Sequence, residues 1–289
     1  MEDAIFSVIR YFSYFSYPPT FYELYRYMPI RVTQAQLRAQ LNILTHRGDI
    51  VSADMEMSDI VDSALHKKVS IYTLPQYSIY FRKRLSRQAI SKDKMKMVSR
   101  FISVAKRVPF VAFLGISGSV AMANAKKNDD VDLFVVSSPG RMWICRLLLL
   151  CIAQVFGLRR FRGLRYAPHT VCMNLFFDGA DLEIPAEKQS LFTAHELLQM
   201  KLVWNKLDTY KKLLAANTWI LKFLPNHKIS KQIKNYQNST IGLLNYIEQC
   251  ARFVQMKLIQ KHKTSEYITT TQAWFFPRDA SHVFRRKKI

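Results

Sequence analysis

The chain has 289 residues, 49% of them hydrophobic and 13% aromatic, with few glycines and prolines. That composition excludes wholesale disorder and leaves room for one large domain or two ordinary ones. The formal charge of +22 is uneven: residues 1–80 are net −1, 81–108 net +9, 109–199 net +1 and 200–289 net +13. Two basic stretches around a neutral centre predict attraction to polyanions, nucleic acid among them, with a merely solvated basic surface as the plainer alternative.

Four cysteines, Cys145, Cys151, Cys172 and Cys250, show no C-x-x-C spacing. They read as buried thiols of a reducing compartment, and the acidic start MEDAIFSVIR shows no signal peptide, so a cytoplasmic location is expected. The apolar run at 142–158 contains Arg146 and Gln154 and is short for a membrane span. A helix buried on a sheet explains it better, and no stable membrane insertion is expected.

In chain order, residues 3–15 are aromatic-rich and stop before Pro18-Pro19. Thr20 with Glu23 has the capping-box spacing for a short helix, and a second helix starts at Thr33 with Leu37, Leu41 and Leu44 on one face. Strand-like 49–52 and 69–74 follow, so residues 1–80 follow the plan of a winged-helix-like domain. Its would-be recognition helix offers only Arg38 and Arg47, and its wing only Lys67 and Lys68, which is thin for reading DNA. Residues 81–108 read as a basic linker helix ended by Pro109, then strands at 110–116, 131–137 and 171–177. From residue 190 the pattern is helical throughout: one element over 191–207, another over 209–224 and a third over 239–262, before the basic end FRRKKI.

The segment FLGISGSVAMANAKKNDDVDLFVVS, residues 113–137, carries the chemistry. Asp130 and Asp132 are two apart at the start of a strand, so both side chains point to one face. Paired carboxylates ionise together only beside a cation, and hard ions such as Mg²⁺ bridge carboxylates to phosphates. The Gly118-Ser119 turn offers free backbone N–H groups and a hydroxyl for a triphosphate.

A hydrophobic strand, Gly-Ser, about ten residues and then Asp-hydrophobic-Asp-hydrophobic resembles the signature of the DNA polymerase beta-like nucleotidyltransferase superfamily. Ser119 and Asp130 are eleven apart, and Val131 and Leu133 fill the hydrophobic slots. The layout also resembles a group of uncharacterised bacterial nucleotidyltransferase-domain proteins. The resemblance implies an α/β (α+β) fold with a mixed-sheet nucleotidyltransferase core over 109–186 and a basic helical region over 187–289. It implies an NTP substrate, Mg²⁺ or Mn²⁺ held by Asp130 and Asp132, and phosphates held by Gly118 and Ser119, with Arg141 within reach. A third carboxylate usually comes from the neighbouring strand, where this chain has Asn174. Asp178, four residues on, is the catalytic substitute if a shifted register brings it in; Glu183 is a second candidate. Without a glycine or proline in VCMNLFF, no bulge is expected there. Turnover is then slow, and the alternative is a weak or inactive nucleotidyltransferase-fold protein acting as a nucleic-acid-binding or regulatory module.

Other residues read more plainly. Asp129 should face away from the pair into solvent, and Ser117 should be structural. Thr193 with Glu196 has capping-box spacing, so His195-Glu196 is no acid–base pair. Lys201, Lys206, Lys211 and Lys212 form either a groove or a solvated stripe. If the basic stretches hold a nucleic-acid backbone, affinity measured by titration should fall with salt at a log–log slope of about 0.9 per phosphate neutralised on duplex DNA. A flat slope would return the charge to a solvated surface.

Overall fold

The computed structural model describes residues 1–58, 66–160, 168–230, 242–261 and 266–275. The basic run 161–165 and the end 284–289 lie outside the described residues. Helices α1 (Glu2–Tyr14), α2 (Phe21–Arg26) and α3 (Gln34–His46) precede an antiparallel ribbon of β1 (Val51–Ser58) and β2 (His66–Thr73). Both expected capping positions hold: Thr20 and Thr33 each accept from the backbone N–H three residues on. The arginines of α3 turn to the protein itself. Arg38 lies over the Phe21 ring at 4.4 Å, and Arg47 pairs with Glu2 at 3.1 Å and with Asp49.

Helix α4 (Tyr80–Ala105) then leads into β3 (Val111–Ser117), the short α5 (Gly118–Ala121), β4 (Val131–Ser137), α6 (Met142–Val155) and β5 (Val171–Asp178). The helical expectation after residue 190 holds only in part. Helix α7 (Leu191–Gln199) stops at Gln199, and 201–205 is an edge strand, β6 (Lys201–Asn205), paired antiparallel to β3. Leu198 and Leu202 have helical spacing while Leu202 and Trp204 have strand spacing, and only pairing with β3 decides between them. The expected helix over 209–224 is split into α8 (Thr209–Ala216) and α9 (Ile220–Phe223). Helix α10 (Gly242–Gln260) is followed by two short strands, β7 (Tyr267–Ile268) and β8 (Gln272–Trp274), that the helical reading missed.

The result is a mixed α/β architecture around a six-stranded sheet of order β6-β3-β4-β5-β8-β7. β4 and β5 run parallel, and the other pairs are antiparallel. One face, with Leu114, Leu133, Val135 and Phe176, packs against α4, α6 and α10. The other, with Phe113, Phe134, Val136 and Phe177, packs against α7 to α9 and shares a continuous core with Ile5, Phe12, Leu24 and Leu41 of α1 to α3. The apolar run at 142–158 is therefore a sheet-packed helix, and no helix among the described residues is long and apolar enough to cross a membrane.

Helix α4 has one stripe at helical spacing that changes character along its length. Its second half buries Met95, Val98, Phe101, Ile102 and Ala105. Its first half buries polar groups instead. Arg84 is 1% exposed, stacks on the Tyr17 ring at 3.9 Å, and donates to Tyr17 Oη at 2.8 Å and Glu23 Oε2 at 3.2 Å. Arg87 donates to the Phe15 carbonyl at 2.9 Å and to Asn124 Oδ1 at 3.0 Å. Lys94 is buried and donates to the carbonyls of Lys127, Asp129 and Pro168. Three of the ten cations of the linker are thus used inside the molecule rather than offered to a polyanion.

Burial alone would push the Glu23 carboxyl up, but the Arg84 charge and hydrogen bonds from Thr20 and Tyr17 hold it below its ordinary range. Arg84→Ala leaves that carboxylate without its cation and should cost about 3 kcal/mol in urea unfolding, with a smaller loss for Arg84→Lys. Equal stabilities for all three proteins would show that the pair contributes nothing.

Candidate functional site

The Gly118-Ser119 turn and the aspartates meet where β3 ends and β4 begins. Ser117 and Asp132 are cross-strand partners in the antiparallel ladder, so their side chains share a face. The chain then turns at Gly118 with φ +63°. A Cβ at that position would run into the Asp132 carboxylate, so the turn needs glycine both for its left-handed backbone and for the close approach. Asp130 and Asp132 lie together with Cys172, their ligand-capable atoms all within 4.8 Å of one another. Two carboxylates suit a hard divalent cation, whereas burial pushes the Cys172 thiol up and leaves it a poor ligand for one; Ser117 Oγ, buried on the same face, has no hydrogen-bond partner among the described residues. The donor set therefore fits a cation.

The two aspartates and the Gly-Ser turn already have partners within the chain. Asp130 pairs with Arg160, and Asn174 Nδ2 donates to Asp132 Oδ1. Ser119 Oγ donates to Asp129 Oδ2 at 2.9 Å, which also accepts from the Lys126 N–H at 2.9 Å. Asp129 was expected in solvent and instead ties the Gly-Ser turn to the start of β4. The Gly118 N–H is held by the Glu196 carboxylate from α7.

Glu196 is the residue the sequence reading missed. Its helix is capped by Ser190, whose Oγ accepts from the Thr193 N–H at 3.1 Å, so no capping box uses Glu196. Withdrawal from water pushes its carboxyl up to about 7, against the Gly118 N–H. The same withdrawal, then Asp130 and then Glu196, raises Asp132 well above the usual carboxylate range. His195 beside it is structural as expected: it is stacked between Tyr11 at 4.1 Å and Tyr27 at 4.4 Å, and burial lowers it to about 3.

Strand β5 lies beside β4, as expected; it runs parallel to it and carries a bulge. Leu133 pairs with Met173 and Phe134 with Leu175, which leaves Asn174 as the extra residue. Asn174 and Leu175 both turn toward the Asp132 face, and Phe176 turns to the opposite core. The residue level with Asp132 is Cys172, not Asn174.

The bulge does not bring in Asp178, which pairs with Ser137 at the far end of β4, five residues and about 16 Å along the strand from Asp132. There Asp178 is buried and accepts from the N–H groups of Gly140 at 2.7 Å and Ala180 at 2.9 Å. Its catalytic assignment is corrected to a turn cap. Arg141 sits at that same end, donating to the Gly140 carbonyl at 2.6 Å and to Asn245 Oδ1 at 2.8 Å, and is corrected from phosphate ligand to helix-start anchor. Glu183 also lies toward that end, lining a cavity of about 290 Å³ with Lys206 and Lys212. The cysteines differ from expectation too: Cys145 is buried, Cys151 and Cys250 are exposed, and Cys172 belongs to the aspartate cluster.

Compared with protein-family models, with curated proteins and with solved structures, the chain matches none. The site therefore has to be judged on its own geometry.

Glu196 gives that geometry a signature. Its folded value near 7 exceeds its ordinary 4.5, so the folded state holds the proton more tightly and stability falls as pH rises between those values. Relative to Glu196→Gln, which does not titrate, the wild type should lose on the order of 3 kcal/mol between pH 4.5 and 8. A constant gap in urea midpoints across that range would show that Glu196 is not withdrawn from water.

Proposed function

We propose that the chain is a divalent-metal-dependent nucleotidyltransferase, moving a nucleoside monophosphate from an NTP to an acceptor hydroxyl. The observation that carries this reading is the convergence of Asp130 and Asp132 on one point beside a glycine turn that their strand requires. The core is read as the nucleotidyltransferase fold and residues 1–80 as a winged-helix-like packing module. Asp130 and Asp132, with Cys172 beside them, would hold Mg²⁺ or Mn²⁺, which supplies charge neutralisation for the triphosphate. Gly118 N–H and Ser119 Oγ would bind the β- and γ-phosphates once released from Glu196 and Asp129. The acceptor oxygen bonds to the α-phosphorus, the bond to the bridging oxygen breaks, pyrophosphate leaves, and the hydroxyl proton passes to water. The exposed cations of α4, Arg82, Lys83, Lys96 and Arg100, favour nucleic acid as the acceptor.

A second reading is favoured by the internal pairing of all four groups, with the Arg160 guanidinium standing where a metal would neutralise Asp130. On that reading the site is a structural remnant, and the protein is a nucleic-acid-binding or regulatory module.

Incubation with each labelled NTP, Mg²⁺ or Mn²⁺, and a panel of RNA, DNA and extract acceptors separates the two. The enzyme reading expects incorporation that Asp132→Asn reduces at least about 1000-fold without loss of fold, because one metal-holding carboxylate is removed. Asp178→Ala should lower stability while turnover per folded molecule stays within about threefold, as befits a residue outside the reacting centre. Loss of turnover in folded Asp178→Ala, or incorporation unchanged in Asp132→Asn, would overturn the site assignment. No incorporation with any acceptor would favour the second reading.

A further inference from the structure

Helix α10 has two unlike faces. Ala251, Gln255 and Ile259 turn inward, and Glu248 accepts from the N–H groups of Trp143 at 2.7 Å and Ile144 at 2.9 Å, capping the start of α6. The outer face carries large apolar residues in two groups, Leu243, Tyr246 and Ile247 and then Phe253, Val254 and Leu258, with exposed Cys250 between them. Leu243 and Tyr246 are 71% and 70% exposed. Helix α6, packed beside α10, adds exposed Leu147, Leu148 and Val155. An apolar face of this extent marks a contact surface rather than a free one.

Charge decides what fits it. Arg252, Lys257 and Lys261 are exposed along the helix, and the Lys257 ammonium lies over the Phe253 ring at 4.4 Å. Between Asp208 and Glu266 the sequence holds ten lysines and arginines and a single acidic residue, Glu248. That one acid is spent inward on α6. A second copy of the chain would have to set this positive surface against itself, since a two-fold contact joins identical patches. A nucleic acid would meet the cations but leave six large apolar side chains unmatched. A helix lying in an interface, with apolar residues beneath and lysine or arginine beside them, fits the surface of an anionic bilayer on both counts.

We propose that α10, with the exposed edge of α6, is a peripheral docking face for anionic lipid membranes, without spanning them. The face lies on the α6 and α10 side of the sheet, whereas Asp132 faces the opposite core, so docking leaves the aspartate site uncovered.

The test is flotation of the full chain with vesicles of phosphatidylcholine alone and of phosphatidylcholine mixed with phosphatidylglycerol. Partitioning should be at least about tenfold stronger onto the mixed vesicles. Phe253→Ser, Val254→Ser and Leu258→Ser combined keep every charge, alter only exposed side chains and should weaken it at least about tenfold. The unfolding midpoint of that variant checks that it folds, and Leu147→Ser with Val155→Ser provides a second, independent variant on α6. Binding that survives both sets would place the attraction in the general positive charge and overturn the proposal. So would equal binding to both vesicle types. A concentration-dependent dimer in sedimentation, abolished by the same substitutions and without vesicle binding, would assign the face to a second copy. Binding to RNA that is weakened by the same serine variants, with none to vesicles, would assign it to nucleic acid.

Discussion

Much of the structure rests on positive charge turned inward along α4 between Arg84 and Lys94. Arg84, Arg87 and Lys94 stand where an amphipathic helix would ordinarily place leucine or valine. Each is tolerated because its donors meet fixed acceptors: a carboxylate and a phenol for Arg84, a carbonyl and an amide for Arg87, three carbonyls for Lys94. Those acceptors belong to different parts of the molecule. Arg84 fixes the start of α2, Arg87 joins the end of α1 to Asn124 after the Gly-Ser turn, and Lys94 gathers the backbone just before Asp130. The helix therefore sets the distance between the N-terminal helices and the turn, and the position of the loop that delivers the aspartates. Apolar replacements could fill the same space, but they would remove seven donated hydrogen bonds together.

The chemistry of the site follows from the same economy of partners. Asp132 is withdrawn from water and flanked by Asp130, with Glu196 acting on it from α7, so its ionised form is disfavoured until positive charge arrives. Arg160 and Asn174 supply part of that compensation from within. Any cation or phosphate entering the site has to exchange existing contacts: Arg160 for metal at Asp130, Glu196 for phosphate at the Gly118 N–H, Asp129 for phosphate at Ser119. Exchange of matched hydrogen bonds is close to neutral, whereas leaving one unmade costs about 1–3 kcal/mol. A triphosphate with its metal can replace all of these contacts together, while a bare anion or a bare cation replaces only some. On the proposed function, the pairing would make metal and triphosphate mutually dependent.

The sequence made the local chemistry legible and the long-range placement only in part. Strand alternation around Asp130 and Asp132, the capping box at Thr20, the helix start at Thr33, and the helix over 142–155 all follow from spacing within a few residues. The glycine at 118 was equally legible, although its contact with Asp132 was not. What failed depended on partners distant in sequence. VCMNLFF alternates cleanly, and only its pairing with β4 inserts the bulge that moves Leu175 to the Asn174 face. KLVWN reads as the end of a helix until β3 offers it a ladder. Glu196 fits a local cap in sequence and is claimed in space by Gly118, about eighty residues away. Asp178 looked catalytic because the third strand carries it, and its role was decided by the Gly140 turn beside it.

Net charge was legible as a sum but not as a field. The +9 of the linker region includes cations locked into α1, α2 and the motif loop, so the linker offers a polyanion less than its count suggests. The acids undergo a matching withdrawal. Asp129, Asp132, Asp178, Glu23, Glu196 and Glu248 all accept hydrogen bonds inside the molecule. Removing acids from the surface leaves the remaining lysines and arginines less opposed than the sequence count implies, because charge near water acts over only about 8–10 Å at physiological salt. The surface of α10 is the clearest case: its one acid faces α6, and what remains outside is cationic and apolar. Folding therefore sharpens a diffuse basic composition into a localised surface, by consuming acids in caps and turns rather than by gathering lysines.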